Sequence, residues 1–203
     1  MITSLTEPSP LHFSMIRAAK IKLPKNFTSS NNAAVLKTIA TSPNMDPALR
    51  IETAERAEAV GALQTTVLRE LYASVNFPKE ILDNALSQST KDRSALSRAL
   101  LYRKALNERI PTAKAEILSI VFKIAREDGK FHSAARLYHH ILRDVPATKD
   151  LVWFAPEAAR ALLAAGDSLS AESWFNVLVP TTGLSGKKAV VLRDHLAPLA
   201  RLT

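Results

Sequence analysis

A chain of 203 residues with 47% hydrophobic content can bury a sizeable core, and only 5 glycines beside abundant Ala, Leu, Arg and Glu point to helices. There is no cysteine, which excludes disulfides, thiolate metal sites and thiol nucleophiles. The net charge of +8 sits mostly at the ends, +4 over residues 1–45 and +3 over 184–203. The body from 46 to 183 is nearly neutral, which disfavours duplex binding, since that needs a concentrated basic face.

Residues 1–30 carry three prolines and many hydroxyl side chains without a helical period, and read as a basic N-terminal arm. Leu11, Phe13, Met15, Ile16, Ile21 and Leu23 alternate with Arg17, Lys20 and Lys22, a pattern suited to lying on a helical body or a membrane surface. No uninterrupted apolar run of a secretory signal occurs, and the expected location is cytoplasmic, with a weak organelle-transit character in this arm.

Residues 31–203 are expected to form one helical domain, with irregular hairpins over 31–110. Ser30 or Asn31 caps a short helix to Thr41. Asp46 followed by Pro47 starts the next, because Asp accepts from the first free amides and proline suits the first turn. Its stripe is Ala48, Ile51, Ala54, Ala57 and Val60, ending near Gly61. A partner helix runs from Ala62 to about Val75 with Val67, Leu68, Leu71 and Tyr72. Pro78 opens a helix with Ile81, Leu82, Ala85 and Leu86. The segment from Thr90 to Glu108 has apolar residues around much of its circumference, as a helix touched on two sides does. Arg98, Arg103 and Lys104 are read there as stems covering neighbours with their charges in water.

Pro111 opens a helix that places Ile117, Ile120, Val121, Ile124 and Ala125 inward and ends at Gly129. The stretch GKFHSAARLYHHILRDVP, residues 129–146, follows. On a 3.6-residue wheel Ala134, Tyr138, Ile141 and Leu142 fall on a core face, while His132, Arg136, His139 and Arg143 fall on a wet one. From Gly129 the small residue Ala134 stands five on, the aromatic Tyr138 nine on and Pro146 seventeen on. A second copy of the offsets starts at Gly166, with Ala171 and Phe175, though Pro180 comes early. Over residues 112–180 this resembles tetratricopeptide (TPR) repeats. The resemblance implies stacked antiparallel helical hairpins over 111–180, each too small to bury its own apolar faces. Thr148 caps the next helix, Pro156 inside it predicts a kink or a fresh start, and 184–203 is expected to form a capping helix.

The fold expectation is therefore all-α, a TPR-like α-solenoid with an extended arm. Little chemistry is expected of it. His132, His139 and His140 lack a third metal ligand at useful spacing, and Glu127 and Asp128 are adjacent rather than paired across a cleft. GLSGKK at 183–188, preceded by FNVLV as a possible strand, has Thr181 and Lys188 where a phosphate loop needs glycine and a hydroxyl. No metal, cofactor or catalytic residue is expected. In TPR-like repeats the first helix of each pair lines a groove, and the matching positions are Glu116, Ser119, Lys123 and Arg126, then Trp153, Glu157 and Arg160. Lys123 matches the family's carboxylate clamp in type, but the clamp's Asn is absent. Lys123, Arg126, Trp153, Glu157 and Arg160 are the candidate partner-binding residues of a non-catalytic scaffold, for an acidic or amphipathic protein segment. A nucleic-acid-binding array using the basic ends and a regulatory helical domain of an enzyme assembly are the alternatives.

Overall fold

The computed structural model describes residues 31–74, 93–146 and 148–181, with Ser9 and Leu11, and only the backbone of 178–181. The remainder of the arm, the expected helix from Pro78, the GLSGKK loop and the 184–203 cap lie outside these residues. Among the described residues the fold is all-helical, without a strand, and no helix is long and apolar enough to cross a membrane.

Local signals set the helix ends. Helix α1 (Ala33–Ala40) is capped by Asn32, not Ser30 or Asn31; its Oδ1 accepts from Ala34 and Val35 amides at 3.0 and 3.3 Å. Helix α2 (Pro47–Ala59) starts as expected, with the Leu49 amide donating to Asp46 Oδ1 at 3.0 Å. Its stripe is shorter than the period suggested. Ile51, Ala54 and Ala57 are sealed while Ala48 and Val60 are exposed, and Thr53 and Glu58 are buried instead.

Helix α3 (Thr65–Ser74) begins three residues later than expected, because Ala62 and Leu63 donate back to the Ala57 carbonyl to finish α2. Helix α4 (Ala95–Asn107) buries Ala95, Ala99, Leu100, Leu101, Tyr102 and Ala105 and touches α2, α3 and helix α5 (Pro111–Glu127). Burial around so much of α4 follows from those neighbours.

Gly129 and Gly166 do what the sequence asked of them. With φ at 67° and 76° they occupy the left-handed region, and the next residues, Lys130 and Asp167, donate to Ala125 and Leu162 carbonyls at 2.8 and 2.9 Å. That closes the preceding helix by satisfying a carbonyl its own ladder leaves open.

Helix α6 (Phe131–Tyr138) does not continue to Pro146 as an α-helix. It tightens into a 3-10 segment, His139–Asp144. The reason lies on α3: Arg69 Nη2 and Nε donate to the Arg136 and Leu137 carbonyls at 2.6 and 3.0 Å. A continued α-helix would have given those carbonyls to the amides of His140 and Ile141.

Helix α7 (Lys149–Ala164), capped by Thr148, runs through Pro156 without a fresh start, so proline costs one ladder bond at the Val152 carbonyl and not the helix. Helix α8 (Ser168–Thr181) absorbs FNVLV, which is therefore not a strand. Its inward residues Ala171, Trp174 and Val177 recur at helical spacing. The deeply buried aromatic is Trp174, fully sealed, whereas the expected Phe175 is only half-buried.

Every described helix contributes to one apolar core. Five rings run through it in edge-to-face contact. Tyr72, Tyr102 and Tyr138 are linked at centroid distances of 5.5 and 5.2 Å, then Phe122 at 5.8 Å and Trp174 at 4.6 Å. They join α3, α4, α6, α5 and α8, and this offset of ring edge on ring face suits the aromatic quadrupole.

Candidate functional site

Helix α5 has two working faces. On one, Arg126 forms an ion pair with Glu157 of α7, and its guanidinium lies over the rings of Phe154 at 4.9 Å and Phe131 at 5.6 Å. Two of the five expected partner-binding residues are thereby brought together, one from each helix. Both side chains are nearly half exposed, at 49% and 47%, so the pair is worth little in stability and serves to orient. Lys123 and Arg160 are exposed, and Trp153 is 72% exposed on the helix face it shares with Glu157 and Arg160. Of the flanking positions, Glu116 is exposed and the Ser119 hydroxyl donates to its own helix, at the Ala115 carbonyl.

The opposite face of α5 borders a cavity of about 290 Å³ whose wall comes from α2 to α6. Its floor is apolar, with Leu68, Leu101, Val121, Ile124 and Leu137, and its width follows from the small side chains Ala59, Ala125 and Ala134 on facing helices. At its mouth Glu55 accepts from Arg98 through both carboxylate oxygens and from the Tyr72 hydroxyl. Burial is the largest single influence on Arg98 and opposes its charge, yet the hydrogen bonds and charge attraction of Glu55, with a smaller part from Tyr72, together outweigh it and raise its pKa. Arg98 is thus an ion-pair partner, not the solvated stem expected for it. Glu58 pairs with Arg136, and Arg93 reaches Asp128 at 2.5 Å and Glu127 at 2.6 Å. Lys130 Nζ stays 3.9 Å from Glu55.

Of the face expected to be wet, Arg143 is exposed but the histidines and Arg136 are not. His132, His139 and His140 are half-buried. His139 Nδ1 lies 3.1 Å from Arg69 Nη2 and 2.9 Å from Ser170 Oγ, and His140 Nε2 lies 3.1 Å from the Tyr102 hydroxyl. Among the described residues no group of three or more potential ligands is placed to hold a metal ion. All three imidazoles are held below their ordinary range, first by burial, then by the Arg136 charge at His132 and by the Arg69 charge at His139 and His140; His140 falls to about 4. Glu58 and Asp167 partly oppose this at His132, the Arg136 carbonyl and then Asp167 at His139, and the Leu137 carbonyl at His140.

The unfolded chain protonates these groups near pH ~6.5, above their folded values. Stability is therefore expected to fall as pH drops from about 6.5 towards about 4. Melting temperature against pH measures this. His140→Gln, which keeps a neutral amide near Nε2, is expected to flatten the slope; an unchanged slope would place the proton uptake elsewhere.

No protein-family model, no curated protein and no solved structure matches this chain. The site residues that sequence reasoning missed are those of the cavity, Glu55, Tyr72, Arg98 and Lys130. One signal pointed to it. Alanines on the inward faces of α2, α5 and α6 fill too little volume to close the space between them.

Proposed function

We propose that this chain is a non-catalytic, TPR-like helical-hairpin adaptor whose α5/α7 face docks an acidic or amphipathic segment of a partner protein. The observation that carries this is the exposure of Trp153, a large flat apolar surface left in water on the α7 face that bears Arg160 and Glu157, the latter paired with Arg126 of α5, on which Lys123 is also exposed. Tryptophan and arginine are the residues that most often dominate interface energy. The repeat reading draws support from the Gly129 and Gly166 turns and from the pattern of neighbours. Helix α5 touches α6 and α7, α6 touches α7 and α8, and α7 touches α8, as stacking of an α5/α6 hairpin on α7/α8 requires.

The chain has 2 tryptophans, of which Trp174 is sealed, so Trp153 is a built-in reporter. A panel of acidic amphipathic peptides is expected to contain binders that shift Trp153 emission to the blue. Trp153→Ala is expected to weaken them about 30-fold, or ~2 kcal/mol, with the melting temperature unchanged. Unchanged affinity in that variant removes the site. Tighter binding of single-stranded RNA or DNA, with a steep salt dependence, would favour the nucleic-acid reading instead.

A further inference from the structure

The cavity between α2 and α6 lies on the other side of α5 from the docking face and has its own chemistry. Its floor is apolar, and at its wall stands Tyr138, 3% exposed. The Tyr138 hydroxyl has no hydrogen-bond partner among the described residues. An O–H that no neighbour accepts and that is not sealed from solvent can donate to a ligand in the cavity it lines. Burial first, then the neighbouring Tyr102 and Glu55, raises its pKa well above the ordinary phenol value, so it remains an O–H donor at neutral pH.

The charges at the mouth favour one sign of ligand. The lining carboxylates Glu55, Glu58 and Asp128 are each already paired with an arginine. Both oxygens of Glu55 are taken by Arg98. Lys130 is the lining cation that remains 3.9 Å from its carboxylate, with its side chain 49% exposed. An incoming cation would find no unpaired carboxylate here, whereas an anion would find an ammonium and a phenol donor.

We propose that this cavity binds a medium-length alkyl chain with a single anionic head. The chain lies on the Leu68, Leu101, Val121 and Ile124 floor, and the head sits at Lys130 and the Tyr138 hydroxyl. The ligand is a free fatty carboxylate; an acidic lipid still in a bilayer shares its chemistry, and the test separates the two.

The full chain is titrated with monomeric sodium octanoate, decanoate and dodecanoate, each below its micellar concentration, by calorimetry. Affinity is expected to rise about fourfold per added methylene, the transfer value for a buried CH₂, and to level off once the cavity is full. Decyltrimethylammonium, with the same tail and the opposite head, is expected to bind at least tenfold more weakly than decanoate. Tyr138→Phe, which removes only the oxygen, is expected to weaken decanoate several-fold. Ala59→Trp, at an exposed position on the cavity wall, is expected to abolish binding. If Ala59→Trp does not fold, Tyr138→Phe and Lys130→Gln carry the test. Equal binding of the two head groups, no dependence on chain length, or full affinity in every folded variant overturns the proposal. So does association with phosphatidylglycerol vesicles in the absence of any carboxylate binding, which would make the ligand a membrane surface.

Discussion

Trp174→Ala is expected to cost about 3–5 kcal/mol and to lower the melting temperature by roughly 6–20 °C, at the ~2–4 °C per kcal/mol usual for a chain of this size. The side chain is sealed from solvent, and its ring meets Phe122 edge to face at 4.6 Å. Its indole N–H donates to the Ala135 carbonyl at 2.9 Å, tying α8 to α6. Alanine leaves a cavity and strands that carbonyl, so two penalties add. Phe175→Ala is the control. The half-buried ring of Phe175 is expected to cost about 1.5 kcal/mol or less, since only part of its surface leaves water. Thermal and urea melts of the two variants decide it, and the reverse order would return the core role to Phe175.

Glu55→Ala is expected to destabilise by about 2–4 kcal/mol. The Glu55 side chain is 16% exposed and that of Arg98 24%, so removing the carboxylate leaves a guanidinium poorly solvated and the Tyr72 hydroxyl without its acceptor. Burial, reinforced by Glu55 itself, holds the pKa of Tyr72 well above the ordinary phenol value. Tyr72 therefore cannot shed its proton to relieve the loss. Glu55→Ala/Arg98→Met is expected to be more stable than Glu55→Ala alone, because it removes the stranded charge as well. A double variant whose loss is the sum of the two single losses would show that these side chains do not act together.

Much of the helix layout was legible because its signals are local. Asp46–Pro47, Pro111, Gly129, Thr148 and Gly166 act on amides and carbonyls within a turn, and each marks a helix end where expected. What failed to show was set by distant residues. Arg69 takes two carbonyls of α6 and turns its continuation into a 3-10 segment, an effect no periodicity in 131–146 contains. Trp174 and Phe175 are adjacent and both aromatic, so an offset counted from Gly166 chose the wrong one; the roll of α8 against α6 decides which is sealed. Of the candidate site, the resemblance to tetratricopeptide repeats chose α5 and α7 and the spacing put each set of residues on one helix face, and Arg126 does meet Glu157. The cavity did not, since it exists only where α2, α5 and α6 face one another.

The seam between the residues before 75 and those after 92 has a further consequence. Glu55 grips Arg98, Glu58 grips Arg136, Arg69 holds the Leu137 carbonyl, and Tyr72 stacks on Tyr102, so each of these ties joins one part of the polypeptide to the other. The part before 75 presents Tyr72 of the ring series and one member of each of these ties, and the complementary set lies on its mate. Two separately made pieces, ending at 74 and beginning at 93, are therefore expected to associate through these ties. Peptide continuity across 75–92 sets the local concentration of the halves, while the specificity of their union resides in the side chains of the seam.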